Sequence, residues 1–417
     1  MALYKCALVY VQLEGPLVPS SLSNPPAYTH LTFSQIPRRS VCLLHSIFHP
    51  SRRISQELPC GQRHLPRTTR ILPSPDTMSS LPSSMKTLLQ ESPHSPCLTL
   101  TTSPLPEPSH PSDVLIKVYT TAPCKGELTW AAAFPDVIPF DKTPVPSQDL
   151  AGVIVSLPPN NTGGFSPGDR VYCRLEATRP GAAREYALAR LSELALIPEN
   201  LGWIQAAATP LSSLTAWQAL FTHGGLNREG LFEGNQTARE DNAKKRVLIT
   251  GAAGGVGSWA VQLAALAGCE VVGLCGPDKV AHVKELGATE VVNYKETSLE
   301  QWASLEKEAD VVLDMVGGMT LEGCWFAVKD QGKIVSVCAP PESAKPGGVA
   351  AKEGVKSIFF IVEPLGEDLT EIGRLIEAGK VRPTVDSVWA LEEYEAAFER
   401  LESGQTTGKV VIRVADL

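Results

Sequence analysis

The sequence predicts an α/β fold in which a doubly wound parallel sheet follows a smaller, mainly β domain. Three observations lead there. Residues 246–268 read as a short apolar strand, a glycine-rich turn and an apolar helix. Strand-like and helix-like runs then alternate as far as residue 338, the pattern of parallel strands joined by crossover helices. Before them, between residues 113 and 189, lie short β-rich runs broken by Gly and Pro turns.

In chain order, residues 1–84 are rich in Ser, Pro and Arg with little periodicity, and read as a disordered tail or an extension outside the fold. They carry eight Lys or Arg against three acids. That balance, with Arg38, Arg39, Arg52 and Arg53, suits a mitochondrial transit peptide; the late first Arg and the early Glu14 oppose it, and Met78 and Met85 offer starts nearer the first strand. A first domain is expected over 85–220, with strands at 113–119, 150–157, 170–175 and 185–189 and a turn at 163–169. An Ala-rich helical run, 206–220, leads out of it. The polar stretch 227–245 reads as a surface insertion.

A second domain is expected over 221–350, opening with the strand 246–250. Gly251, Gly254, Gly255 and Gly257 let the backbone turn sharply into the helix 256–266. The N-terminus of such a helix favours a pyrophosphate, because its first N–H groups lack partners and its dipole favours negative charge. Strands at 270–275, 290–294, 310–315 and 333–338 alternate with helices at 279–286, near 298–305 and near 321–328, which turns a weak glycine signal into the pattern of a dinucleotide-binding sheet. The remainder, 351–417, holds two amphipathic helical patterns, 368–378 and 391–401, and a closing strand at 409–414.

Composition narrows the function. A chain of 417 residues with ordinary apolar and charged fractions reads as soluble and globular, and no stretch approaches a membrane span. The formal net charge of −8 argues against nucleic acid as the main partner. Ten scattered cysteines without a Cys-x-x-Cys pair suggest neither a disulfide framework nor a zinc cluster, and point to a reducing intracellular compartment. The cytoplasm is the expected location, with mitochondria as the alternative if residues 1–84 act as a transit peptide.

Six phrases occur in one order: Asp149-Leu-Ala-Gly-Val-Ile154, Pro167-Gly-Asp-Arg-Val171, Leu214-Thr-Ala-Trp-Gln-Ala-Leu220, Gly251-Ala-Ala-Gly-Gly-Val-Gly257, Lys284-Glu-Leu-Gly-Ala288 and Gly408-Lys-Val-Val-Ile-Arg-Val414. Together they resemble the medium-chain dehydrogenase/reductase superfamily, specifically its zinc-free quinone oxidoreductase-like, enoyl reductase-like branch, over roughly residues 112–414. The resemblance implies a GroES-like, mainly β catalytic domain split around a Rossmann nucleotide domain, so that 351–417 completes the first domain. It also implies a homodimer as a common assembly.

Zinc-dependent members place a Cys, a His–Glu pair and a further Cys or His around a catalytic ion. The matching region here, 145–149, has no His. Cys124 stands where the first ligand would be, but a lone thiol falls short of the three protein ligands a catalytic zinc needs, so no metal is expected. For the cofactor, the second nucleotide strand ends Gly273-Leu-Cys-Gly-Pro277 without the acid that would hold an NAD ribose. Lys279 is placed to meet a 2′-phosphate instead, and Tyr294 resembles the tyrosine beside that phosphate in this branch; NADPH is therefore expected.

The expected cofactor contacts are Thr215, Ala252, Gly254, Gly255, Val256, Gly257, Lys279, Tyr294, Phe360 and Val362, with Phe359 in the same late segment. Cys124, Glu127 and Thr215 are cleft candidates, and no catalytic residue is identified. Thr215 reads equally as a helix hydroxyl and the Phe pair as plain core, and nothing adjacent to Cys124 supplies a base. The expected function is NADPH-dependent hydride transfer, without zinc, to a quinone or an α,β-unsaturated carbonyl of a small-molecule substrate. Two other readings stand beside it: a trans-acting enoyl reductase of a polyketide or fatty-acyl pathway, and a non-enzymatic NADPH-binding protein with a macromolecular partner.

Overall fold

The computed structural model describes residues 81–417 apart from 93, 140, 160, 162 and 348–351. The tail and transit-peptide readings of 1–84 lie almost wholly outside the described residues. Among the described residues fifteen strands are formed: β1 Ser84–Gln90, β2 Leu98–Pro104, β3 Asp113–Ala122, β4 Asp149–Ser156, β5 Arg170–Arg174, β6 Tyr186–Arg190, β7 Ala195–Leu196, β8 Arg246–Ile249, β9 Glu270–Cys275, β10 Glu290–Asn293, β11 Ala309–Asp314, β12 Val328–Ser336, β13 Lys356–Phe359, β14 Val385–Ala390 and β15 Lys409–Arg413.

They build three sheets. β1 and β2 form an antiparallel hairpin. Seven strands form a largely antiparallel sheet in the order β14-β15-β3-β4-β5-β7, with β6 also on β3. Its alternating burial packs Val114, Ile116 and Val118 of β3 with Leu150 and Ile154 of β4 into one core. β14 and β15 come from the C-terminal part of the chain, and β15 joins the sheet through Ile412 and Arg413 against Thr121 and Thr120. The chain therefore leaves this antiparallel sheet and returns to it.

Between departure and return lies a six-stranded parallel sheet in the order β10-β9-β8-β11-β12-β13. The middles of β8, β9 and β11 and the second half of β12 are apolar because helices cover both faces, as parallel crossovers require. The strand order reverses between β8 and β11, so the crevice at their carboxyl ends is where a doubly wound sheet receives a ligand. β13, in the segment expected to rejoin the first domain, instead pairs in parallel with β12, Ser336 against Phe359. The polar stretch 227–245 is more ordered than an insertion loop: it carries the helix Gln236–Asn242, tied down by the buried Asn242. Among the described residues, no helix is long and apolar enough to cross a membrane.

Candidate functional site

The glycine turn after β8 is set by close contacts that leave little room for side chains. Gly251 adopts φ +58. A Cβ on Gly257 would meet the Gly251 carbonyl oxygen at 2.1 Å, and one on Gly255 would meet Ser212 Oγ at 2.9 Å and Lys409 Cδ at 3.0 Å. Ala252 is fully buried and donates its amide to the Leu274 carbonyl of β9 at 3.0 Å. Gly254 is the N-cap of the helix Gly255–Leu266, so the amides of Gly255, Val256 and Gly257 fall in its first turn, where N–H groups have no acceptor within the helix. A cradle narrowed to bare backbone at a twelve-residue helix N-terminus fits a pyrophosphate.

The ends of β9 and β10 bring together the residues expected at the ribose. A Cβ on Gly276 would lie 3.4 Å from Tyr294 Oη, so the exposed tyrosine stands directly over the end of β9. Lys279 sits in the turn after β9 and donates to the carbonyls of Gln405 and Thr406 at 3.0 and 2.6 Å. An ammonium carries three donors, so one remains for an anion.

The floor of the site contains residues that sequence reasoning passed over. Lys409, at the start of β15, is buried beneath Gly255, with Nζ 2.9 Å from Asp149 Oδ2 and donating to Pro123 O at 2.9 Å. Burial pulls the Lys409 ammonium down, but Asp149, Cys124 and Glu127 together outweigh it and hold the group above its ordinary value. The other Asp149 oxygen accepts from the Leu211 amide at 2.6 Å, at the start of the helix Pro210–Trp217. Next to Lys409, the Gly408 amide donates to Ala253 O at 2.9 Å. β15 thus stitches the antiparallel sheet to the glycine turn. The only signal in sequence was the Gly408-Lys409 phrase, whose partner lies 260 positions away.

Cys124 and Glu127 are brought together in the loop after β3. Glu127 is buried and accepts the Cys124 amide on Oε2 at 2.9 Å and the Ser147 amide on Oε1 at 2.8 Å. Burial pushes its carboxyl up to about 7, against those two donors. Burial likewise pushes the Cys124 thiol up to about 11, so it is no ready nucleophile. Ser147 holds a left-handed backbone, φ 69, with its hydroxyl buried and unpartnered, as is Gln148 Oε1. Thr215 is placed differently from a cleft hydroxyl: it is buried mid-helix and donates back to Leu211 O at 2.6 Å.

Phe360 and Val362 follow the end of β13. Phe360 is buried with its ring 4.3 Å from that of His223, Val362 is half-buried, and Phe359 stacks at 6.2 Å on Phe134 from the loop beyond Glu127. The loop after β3 and the end of the parallel sheet therefore meet at this contact.

Comparison with known proteins agrees with this geometry. The profile described as "Alcohol dehydrogenase GroES-like domain" matches residues 110–199, and that described as "Zinc-binding dehydrogenase" matches 286–412. A protein of Arthroderma benhamiae named "Probable zinc-binding oxidoreductase, mitochondrial" is 43% identical over 343 residues, covering 81% of this chain and 99% of that protein. The chain belongs to the medium-chain dehydrogenase/reductase superfamily. It is an oxidoreductase of the quinone oxidoreductase type: the "Chloroplast envelope quinone oxidoreductase homolog" of Arabidopsis thaliana is 30% identical, over 74% of this chain and 92% of that one. The structure of the quinone oxidoreductase from Coxiella burnetii superposes with a TM-score of 0.67 at 26% identity, covering 80% of this chain and all of that one.

Two of the matched names mention zinc, and the donor set here does not fit that ion. Among the described residues, no group of three or more His, Cys, Asp or Glu is arranged to hold a metal. In this superfamily member the carboxylates of the floor are committed elsewhere: both Glu127 oxygens to backbone amides and Asp149 to Lys409 and Leu211. Gln148 beside them is an amide, not a ligand of the Cys/His/carboxylate kind.

Proposed function

We propose that this chain is a zinc-independent, NADPH-dependent reductase of a quinone or an α,β-unsaturated carbonyl. The observation that carries it is the pairing of a bare-backbone pyrophosphate cradle with a cleft floor whose fixed cation is Lys409. The cofactor supplies the hydride; everything else falls to the protein. The first-turn amides 255–257 hold the pyrophosphate, Tyr294 and the spare Lys279 donor meet the 2′-phosphate, and the segment with Phe360 and Val362 bounds the nicotinamide. With Cys124 protonated and Thr215 turned inward, the described residues of the cleft offer no triad to deprotonate an alcohol, which favours an acceptor that takes hydride by conjugation.

The test is NADPH oxidation by the full chain against 1,4-quinones, enones and an enoyl thioester in parallel, with NADH as control and zinc or a chelator added in separate arms. Turnover with NADPH, insensitive to the chelator, is the expected result. Loss of turnover on chelation would overturn zinc independence, and equal use of NADH would overturn the role of Lys279 and Tyr294. The names of relatives favour mitochondria over the cytoplasm for this chain, a placement that imaging of the tagged full-length protein decides. Sedimentation in solution tests for a homodimer.

A further inference from the structure

The helix Pro210–Trp217 does not end in an ordinary turn. It widens into a π turn, Gln218–His223, closed by the Gly224 amide on Ala219 O at 2.8 Å. Such turns are rare and cluster at functional sites. Gly224 is required for it: a Cβ there would lie 2.6 Å from Leu220 O.

What the wide turn achieves is visible in the two residues at its ends. Gln218, only 4% exposed, donates Nε2 to Glu363 O at 3.0 Å and accepts the Glu363 amide on Oε1 at 2.9 Å, as a neighbouring strand would. His223 lays its ring on Phe360 at 4.3 Å, and its own carbonyl is held by Lys333 Nζ at 3.2 Å. In an α-helix of 3.6 residues per turn, positions five apart point about 140° away from each other. Hydrogen bonding from i to i+5 stacks them on one side. The π turn is thus what lets Gln218 and His223 grip the same short segment, at Glu363 and at Phe360.

We propose that the π turn is a two-point clamp that fixes the 360–363 segment against the nicotinamide, with Gln218 as a positioning residue. This rests on the NADPH reading above. The clamp is also rooted at its far end, because the same helix begins on Asp149, the partner of Lys409 beneath the glycine turn. One rigid element therefore registers both ends of the dinucleotide cleft.

The experiment uses the full chain and Gln218→Met, which keeps the side-chain length and removes both hydrogen-bonding ends. Single-turnover oxidation of NADPH by a 1,4-quinone falls about tenfold, in the range that a sub-ångström misplacement produces. Affinity for 2′,5′-ADP, which reports the adenosine end alone, stays within about twofold, and the Glu363 amide loses hydrogen-exchange protection. Gln218→Glu supplies the rescue. Ionised, it accepts from the Glu363 amide but has no proton for the Glu363 carbonyl; protonated, it offers both, so its rate relative to wild type climbs between about pH 8 and about pH 5.5. His223 faces Glu363 and Lys333, and its titration is shared by wild type and so cancels in that ratio. If Gln218→Met does not fold, His223→Leu breaks the other grip and gives the same selective loss. Wild-type hydride transfer in a folded Gln218→Met, or an equal fall in 2′,5′-ADP affinity, overturns the clamp. Failure of the wild-type chain to bind NADPH overturns the nucleotide reading instead, and the exchange arm separates the two.

Discussion

The glycine turn and the cleft floor lie within a few ångströms of each other, yet they are built on opposite principles. The turn works by omission: at Gly257 the backbone passes so close to Gly251 O that a single methyl group has no place, and at Gly255 one would have to displace Ser212 and Lys409. The floor works by commitment, since Glu127, Asp149 and Lys409 are ionisable groups held almost without solvent by specific partners. A site made of absent side chains depends on sequence-local spacing. A site made of paired side chains depends on residues the fold brings together from distant positions, here Asp149 and Lys409.

The largest effects should come from filling the turn. Gly257→Ala is expected to destabilise the protein by about 4 kcal/mol or more and to abolish NADPH binding, because the displaced atoms are backbone. Gly254→Ala is the internal control: its Cβ would sit 3.2 Å from Gly251 O, so about 1 kcal/mol is expected. Chemical denaturation and NADPH fluorescence titration read both. Equal losses at the two positions would break the contrast drawn above.

Breaking the floor is expected to come next. Lys409→Met leaves the Asp149 carboxylate buried without its cation, at a cost of about 3–5 kcal/mol. Adding Asp149→Asn keeps an acceptor for the Leu211 amide and removes the uncompensated charge. A double-mutant cycle should therefore show a coupling of at least about 1.5 kcal/mol, whereas strict additivity would mean that the pair is not an energetic unit.

This difference also explains what was legible in the sequence. The parallel sheet could be read because its strands are apolar runs and its turn is glycine, both local signals, and β8 to β11 lie where periodicity puts them, whereas β12 starts at Val328, ahead of the expected Lys333. β13 was missed because Lys356–Phe359 is a short edge strand, three of its residues only half-buried, and its neighbour β12 is more than twenty positions away. β1 and β2 were missed for a similar reason: their burial alternates, but through Thr and Ser as much as through Leu. Of the site, Gly254, Gly255 and Gly257 could be read. The roles of Lys409, Asp149 and Gln218 could not, since a buried Lys or Gln has no periodic signature until its partner is known. Thr215 misled because a hydroxyl at a familiar position carries no sign of which way it faces.

Glu127 offers an intermediate effect with a signed pH dependence. Its folded carboxyl is raised to about 7 by burial, so the folded state binds that proton more tightly than the unfolded chain does. The associated stability is fully present below the ordinary glutamate value and is lost as pH rises through about 7, by about 3 kcal/mol in all. Glu127→Gln removes this titration, so its stability profile should be flatter than wild type between about pH 4.5 and about pH 7, whatever its offset. A parallel profile would place the titrating group elsewhere on the floor.

The insertion tests whether the floor's principle extends beyond the cleft. Residues 227–245 read as a polar surface insertion, yet Asn242 is buried at their end and its amide accepts from Asn227 N at 3.0 Å while donating to Asn227 O at 2.9 Å and Ala267 O at 3.0 Å. One side chain therefore closes the segment on itself and ties it to the end of the helix that begins at the glycine turn. Truncation leaves three backbone groups without this partner, so Asn242→Ala is expected to cost about 2 kcal/mol. NADPH affinity should be unchanged, because the first helical turn at the other end is held independently by Ala253 O on Gly408. A fall in affinity along with stability would show that order in the insertion is transmitted along the helix Gly255–Leu266 to the cradle, and the two regions could no longer be treated as separately built.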